Sequence, residues 1–222
     1  LAQFGGAAAL LGVSLPGGGD SQVTNAIATL RSRDFLIRFI HAHDVLVPLF
    51  AGEWDKQAQA STLDPAIYDQ ETGTWLLDAG EPTDLEAYRA FTDIFSVSQD
   101  NNAGLITVAV EWHDPAMAQR WVNALVKSIN QEVKQKDQTE ANSAIEYLRK
   151  QLESTQLVEM QRVFYDLIES QTRISMLADV REEYVFQVVD PAVVPDERIA
   201  PRRSLIAVLG TMLGAMLALV VV

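Results

Sequence analysis

The sequence predicts an α+β fold: a small α/β base with a mixed or antiparallel sheet, a long α-helical hairpin, and a carboxy-terminal apolar helix cut short by the end of the chain. Three observations carry that reading. Phe95–Trp112 alternates around a turn-rich centre, as a β-hairpin does. Ala116–Asp190 contains neither glycine nor proline and keeps apolar residues at helical spacing for most of its length. Ser204–Val222 carries no charge and follows a proline-rich connector.

Composition bounds the function. Among 222 residues there are 30 acidic and 17 basic, a formal charge of −13. Phosphate contacts need clustered Lys and Arg, so this balance argues against nucleic acid and gives no general attraction to anionic lipid. With no cysteine, disulfide, thiolate-metal and thiol redox chemistry are excluded. The first residue is Leu, with no charged segment ahead of an apolar one, so the chain reads as an interior piece of a longer protein without a visible signal peptide.

The elements follow in order. The opening LAQFGGAAALLGVSLPGGGDS is glycine-rich, but its glycines run into Asp20 and not into the Gly-Lys-Ser/Thr that lets a lysine reach phosphates. It reads as a loop of small residues. Asp20 or Ser21 then offers an N-cap, and Ile27, Leu30, Phe35, Leu36, Phe39 and Ile40 predict one helix over 21–43, or two with a break near Ser32. From Leu49 to Pro82 the pattern dissolves into a surface excursion holding Trp54 and Trp75. Thr83-Asp84-Leu85-Glu86 is a capping box that starts a short helix to about Ile94. The β-hairpin follows, turning through Asp100–Gly104, and Asp114-Pro115 supplies an N-cap and a first-turn proline for the next helix.

Trp121, Leu125, Ile129, Ile145, Leu148, Leu152, Met160, Val163, Leu167, Ile174 and Leu177 mark the long helical stretch. A straight helix over 115–182 would rise about 100 Å. Tyr184–Val189 reads as a strand, and a strand needs a partner. If it pairs near Leu105–Trp112, the helix must double back. Two polar stretches offer the reversal, Lys136–Ser143 and Glu153–Gln156, and equal arms place the tip near residue 149. An extended coiled coil is the alternative, but the apolar stripe drifts and never settles into heptads with charged flanks. Pro191, Pro195 and Pro201 then make a stiff extended connector. After it, Ser204–Val222 approaches the roughly 20 apolar residues that cross a bilayer, and Gly210 and Gly214 form a G-x-x-x-G step for close helix packing in lipid. The chain thus divides into a base over 1–113, a hairpin over 114–183, a return strand and connector over 184–203, and a truncated membrane helix over 204–222.

At this point the chain resembles the Wzz family of polysaccharide co-polymerases, the chain-length determinants of bacterial surface polysaccharides. Ala26–Leu36 resembles the family's stretch leading into Ser-x-x-Phe-Leu, here Ser32-Arg33-Asp34-Phe35-Leu36, and the strand followed by Asp114-Pro115 and a helix resembles its middle. The family's ending is P-x2-P-x4-S-P-K-x11-G-x3-G. Here Pro195, Ala200-Pro201-Arg202, Gly214 and Ala218 keep that spacing, with Ala200 for Ser, Arg202 for Lys, Ala218 for the last Gly, and Pro191 one residue upstream of the first proline.

The resemblance implies two membrane helices in the bacterial inner membrane, the first of them and a first strand lying upstream of Leu1. It implies a membrane-proximal base, a periplasmic hairpin, and a homo-oligomeric ring acting with a Wzy-type polymerase on O-antigen or a related polymer, the nascent polysaccharide being a further partner. On that reading Pro191, Pro195, Pro201, Arg202, Gly210 and Gly214 couple the periplasmic domain to the span and its neighbours. Arg198, Arg202 and Arg203 lie on the flank that would be periplasmic, against the positive-inside tendency, which compares two flanks of which only one is in the sequence.

The expected function is non-catalytic, without cofactor or metal. The alternative is the periplasmic sensor module of a membrane tyrosine autokinase. An enzyme reading finds little: His41 and His43 fall on different faces of a helix, His113 stands alone, the plentiful carboxylates sit in no recognisable acid/base motif, and no serine elbow is present. Of four tryptophans, Trp112 and Trp121 sit in strand and helix patterns that predict core or interface, leaving Trp54 and Trp75 as candidates to stack on sugar rings.

Overall fold

The computed structural model describes residues 19–55, 57–58, 60–100, 102–195 and 211–212, the side chains of residues 19 and 20 excepted. It divides into two units, Leu1–Ala192 and Val193–Val222. The first is the α+β fold, with three two-stranded antiparallel sheets and a long helical hairpin.

Two helices open it, α1 (Gly19–Leu30) and α2 (Arg33–Ala42). The break falls at Ser32, whose hydroxyl accepts the Phe35 N–H as N-cap of α2. Asp44 takes a left-handed turn, φ 51°, and leads into α3 (Leu46–Ala51). Pro48 is tolerated there because the first turn of a helix leaves its N–H groups unpaired. The expected surface excursion is more ordered than its composition predicts. It folds as β1 (Gly52–Asp55) against β2 (Ala60–Leu63), and β3 (Tyr68–Asp69) against β4 (Thr74–Trp75). Asp55 accepts the N–H groups of Gln57 and Ala58, and Asp69 those of Glu71 and Thr72. These side chains do the turn-closing that glycine and proline signals only hinted at.

The capping box is present in both directions at Thr83 and Glu86 and starts α4 (Asp84–Ile94). The β-hairpin follows as β5 (Phe95–Asp100) and β6 (Leu105–Val110), in register from Phe95 opposite Val110 to Asp100 opposite Leu105. Its turn uses Asp100 to accept from Asn102 and Ala103, and Gly104 at φ 66°. Phe95 and Val97 point into the core while Ser96 and Ser98 face water, the alternation that a half-covered sheet requires.

Asp114 then accepts from Ala116 and Met117 and caps α5 (Pro115–Ser154), which turns at 155–157 into α6 (Val158–Val180). Of the two polar stretches, Glu153–Gln156 therefore holds the reversal, and the tip lies beyond the equal-arm position. The arms are unequal because α5 serves twice. Trp121, Leu125, Ile129 and Val133 on its first half are buried in the base core, and only its second half pairs with α6.

One expectation is corrected. Tyr184–Val189 pairs with no strand among the described residues and runs as irregular chain. Its backbone is satisfied by a side chain instead. Asn130 Oδ1 accepts the Val185 and Phe186 N–H groups, each at 2.8 Å, and its Nδ2 donates to the Phe186 carbonyl at 2.9 Å. An amide has one acceptor and one donor head, which is what two N–H groups and a C=O can use. Farther along, Gln119 Nε2 donates to the Ala192 carbonyl at 2.8 Å, so the segment runs back along α5.

The core sits between α1, α2, α4, the β5–β6 hairpin and the first half of α5. Phe91 is its centre, fully buried, with ring centroids of Phe39 at 5.7 Å, Phe95 at 5.8 Å and Trp121 at 6.2 Å. Arg31 ties α1 to the sheet by donating to the Val97 carbonyl on the outer edge of β5.

Candidate functional site

His41 Nε2 meets Asp84 Oδ1 at 2.8 Å and His43 Nε2 meets Ser128 Oγ at 3.1 Å, so the two histidines reach different elements. His113 is half-buried and its ring lies 4.3 Å from that of Trp112. Burial holds its pKa below the usual histidine value, with Asp114 opposing. Its Nε2 and the Trp112 Nε1 are buried without a hydrogen-bond partner among the described residues. Among those residues no group of three metal-ligating side chains occurs. The carboxylates at 55, 64, 69, 100 and 114 accept backbone N–H groups at turns and caps.

The tryptophans divide as the spacing predicts. Trp121 is buried and Trp112 packs on it, centroids 5.3 Å apart. Trp75, one of the two stacking candidates, is held edge-on by Tyr68 at 5.1 Å and Phe50 at 6.4 Å, so both ring partners come from its own excursion. Trp54 is half-buried on β1.

Of the coupling residues, Pro191 lies in the first unit, one residue before its end, and Pro195 in the second, both exposed in chain that is neither helix nor strand. Pro201, Arg202, Gly210 and Gly214 lie outside the described residues, as does the expected membrane helix over 204–222 apart from residues 211 and 212, which are helical. Among the described residues no helix is long and apolar enough to cross a membrane.

The feature that sequence reasoning passed over is on α6. Gln161, Phe164, Ile168, Gln171, Ser175 and Ala178 make the stripe turned toward α5, where Ser175 Oγ reaches Asn142 Oδ1 at 3.4 Å and Lys134 Nζ donates to the Asp179 carbonyl at 3.1 Å. About 100° round the helix runs a second stripe at strict three-four spacing, Met160, Val163, Leu167, Ser170, Ile174 and Leu177. Met160, Val163 and Leu177 are 43%, 42% and 46% exposed, while Leu167, Ser170 and Ile174 between them are half-buried. Over 115–182 the apolar pattern drifts, because α5 changes partner midway. Over α6 alone it keeps heptad spacing, and reading that helix by itself finds it.

No curated protein matches the chain. One family model does, the G-rich domain on putative tyrosine kinase, over residues 150–222. The matched span begins in the last turn of α5 and takes in α6, the return segment and the proline-glycine pattern. It is a domain of polysaccharide co-polymerases and of tyrosine kinases of that type, consistent with the Wzz resemblance, and it links this third of the chain to bacterial polysaccharide polymerisation.

Proposed function

We propose that the chain is the periplasmic part of a non-catalytic regulator of bacterial surface-polysaccharide chain length, anchored in the inner membrane and acting as a homo-oligomeric ring with a Wzy-type polymerase. The observation that carries this reading is the family match over 150–222, whose far end holds Pro195, Ala200-Pro201-Arg202 and Gly214 at the co-polymerase spacing. The exposed stripe on α6 supports self-assembly: an apolar row at heptad spacing asks for another helix, and a second copy of this chain is the occupant that the ring supplies. Pro195, Pro201, Arg202, Gly210 and Gly214 then transmit the position of the ring to the membrane span. Deleting the gene and running the cell's surface polysaccharide on a gel tests the proposal. A ladder that loses its modal length is expected, and an unchanged ladder removes the reading. Replacing Gly214 by Leu should shift the mode while leaving the periplasmic domain folded. A reporter fused after the completed span should read cytoplasmic.

A second reading, the sensor module of a membrane tyrosine autokinase, is favoured by the description of the matched domain. It requires nucleotide-binding loops and a tyrosine-rich tail after Val222, so the residues that follow in the full gene decide between the two.

A further inference from the structure

The two outer edges of the β5–β6 hairpin differ. The Glu111 N–H donates to the Ile94 carbonyl at 2.8 Å, and that bond fixes the phase of the ladder. Hydrogen-bonded and non-hydrogen-bonded positions alternate in an antiparallel pair. Leu105, Thr107 and Ala109 therefore exchange bonds with Asp100, Ser98 and Ser96, and the main-chain groups of Ile106, Val108 and Val110 point away from β5. By the same rule the Val97 carbonyl points outward on the β5 side, where Arg31 donates to it. On the β6 side Ile106, Val108 and Val110 have no main-chain partner among the described residues. Their side chains pack against the core, while Leu105 and Thr107 are exposed, so the open edge borders the core.

An edge strand that faces water is ordinarily protected by a charged side chain, a proline or a bulge. Leu105–Val110 has no charge and no proline, and its register on β5 is unbroken. Just past its end two further polar atoms are left over, since Trp112 Nε1 and His113 Nε2 are buried without a partner among the described residues. Donors and acceptors alternating along one edge are the complement of another extended main chain; an anion could take only the donors. Position selects the chain. β6 packs on α5 and leads into it through Glu111–Asp114, so it runs against that helix, with Val110 near Pro115 and Leu105 toward its middle. Gln22, in the first turn of α1, donates to Asp137 Oδ2 at 2.9 Å, and the Tyr184 hydroxyl donates to the same oxygen at 2.7 Å. From Pro115 to Asp137 the helix rises about 33 Å, while β6 spans about 20 Å. The chain that enters α1 therefore arrives beyond the Leu105 end of the open edge, where a strand laid antiparallel on β6 would deliver it.

We propose that the segment of this protein ahead of α1 lies as a strand antiparallel to β6, bonded to the main chain of Ile106, Val108 and Val110, with apolar residues at every second position turned to the core. β6 then becomes the middle strand of a three-stranded sheet. Two measurements on the full-length protein in detergent test it. The first is amide exchange resolved residue by residue, with Thr107 and Ala109, which are bonded to β5, as the internal reference. Ile106, Val108 and Val110 should be protected to within about ten-fold of that reference, and faster exchange overturns the proposal. The second measurement identifies the occupant. Thr107→Cys changes an exposed position whose outward side is a non-hydrogen-bonded site, where paired Cβ atoms come close. On a background without other cysteines, it is combined with a second cysteine walked one position at a time through the residues ahead of Gly19. A disulfide within one chain at every second position, with the far-ultraviolet spectrum unchanged, is expected of a neighbouring strand. A disulfide between two copies, seen as a dimer on a non-reducing gel, gives the edge to a second molecule and overturns the proposal. Protected amides with no disulfide at any position give it to another partner and overturn the proposal equally.

Discussion

The base and the distal hairpin are built on opposite principles. In the base, five elements converge on Phe91, and bulky side chains such as Leu30, Leu36, Ile40, Leu125 and Ile129 are fully buried. In the hairpin from residue 134 to residue 183, only Ala141 and Ala178 are buried among the described residues. Two helices packed along one line cannot enclose anything; each has a single neighbour, and half the surface of any core residue stays open. The small residues at 141 and 178 let the helices approach closely, and polar bridges at Asn142–Ser175 and Lys134–Asp179 fix their register. Within the first unit the base therefore holds the core, whereas the hairpin is an arm whose outer apolar stripe is partly exposed.

Breaking the base should give the largest effect. Phe91→Ala removes a side chain with no exposed surface and three aromatic neighbours, and should destabilise by about 3–5 kcal/mol. Denaturant unfolding monitored at the tryptophans would register it; a loss below about 1 kcal/mol would mean that Phe91 is not the keystone of the core. The next largest effect sits at the hinge between the two regions. Asn130→Ala leaves the Val185 and Phe186 N–H groups and the Phe186 carbonyl without partners in a buried setting, which should cost about 2–4 kcal/mol. Amide exchange at 185 and 186 should accelerate with it, and unchanged exchange would show that another group holds the return segment.

The arm should behave otherwise. Val163→Glu and Leu177→Glu lie on the outer stripe of α6, 42% and 46% exposed, so monomer stability should change by no more than about 0.5–1 kcal/mol. Self-association of the full chain, followed by sedimentation, should be lost. A monomer destabilised as strongly as by Phe91→Ala would place these residues in a core after all. Retained assembly would move the interface elsewhere.

The contrast also explains what was legible in the sequence. Elements announced by local chemistry were readable: the Thr83–Glu86 box, the Asp114-Pro115 start, the turn through Gly104, the break at Ser32. Each is decided within four residues by hydrogen bonds the sequence can name. The hairpin tip and the return segment were not, because both depend on partners far away. Equal arms is a fair assumption only if α5 packs on α6 throughout, and its first half packs on the base. Alternation at Tyr184–Val189 announces an extended chain but not who satisfies it. The hint was Asn130, a polar residue adjoining the row Trp121, Leu125, Ile129 and Val133, and a polar residue at such a place marks a specific bond. The coupling residues Pro201, Arg202, Gly210 and Gly214 remain a matter of spacing within a matched domain.

The smallest effect distinguishes the regions by pH. Burial keeps His113, at the foot of the sheet, from protonating as readily as a free histidine. The unfolded chain takes the proton near the ordinary value of 6.5 while the folded chain resists it, so the unfolded state binds more protons and stability falls as pH drops below that value. Glu132 acts lower down: the hydrogen bonds from Arg38 hold its pKa below the ordinary 4.5, so its contribution is present above that value and fades as pH falls past it. Glu132 is partly exposed, and its pair with Arg38 is worth less than about 1 kcal/mol. On the alkaline side, burial and then the bond to Asp137 push the Tyr184 pKa up to about 12 from 10.0, so stability falls above the lower value, where only the unfolded tyrosine ionises. His113→Gln should flatten the melting-temperature profile between about pH 7 and 5, and Tyr184→Phe the profile above about pH 10. The two groups titrate at opposite ends of the profile, so each variant should flatten its own limb and leave the other as it is. A His113→Gln profile that kept its acid limb, or a Tyr184→Phe profile that kept its alkaline one, would take that residue out of the pH dependence.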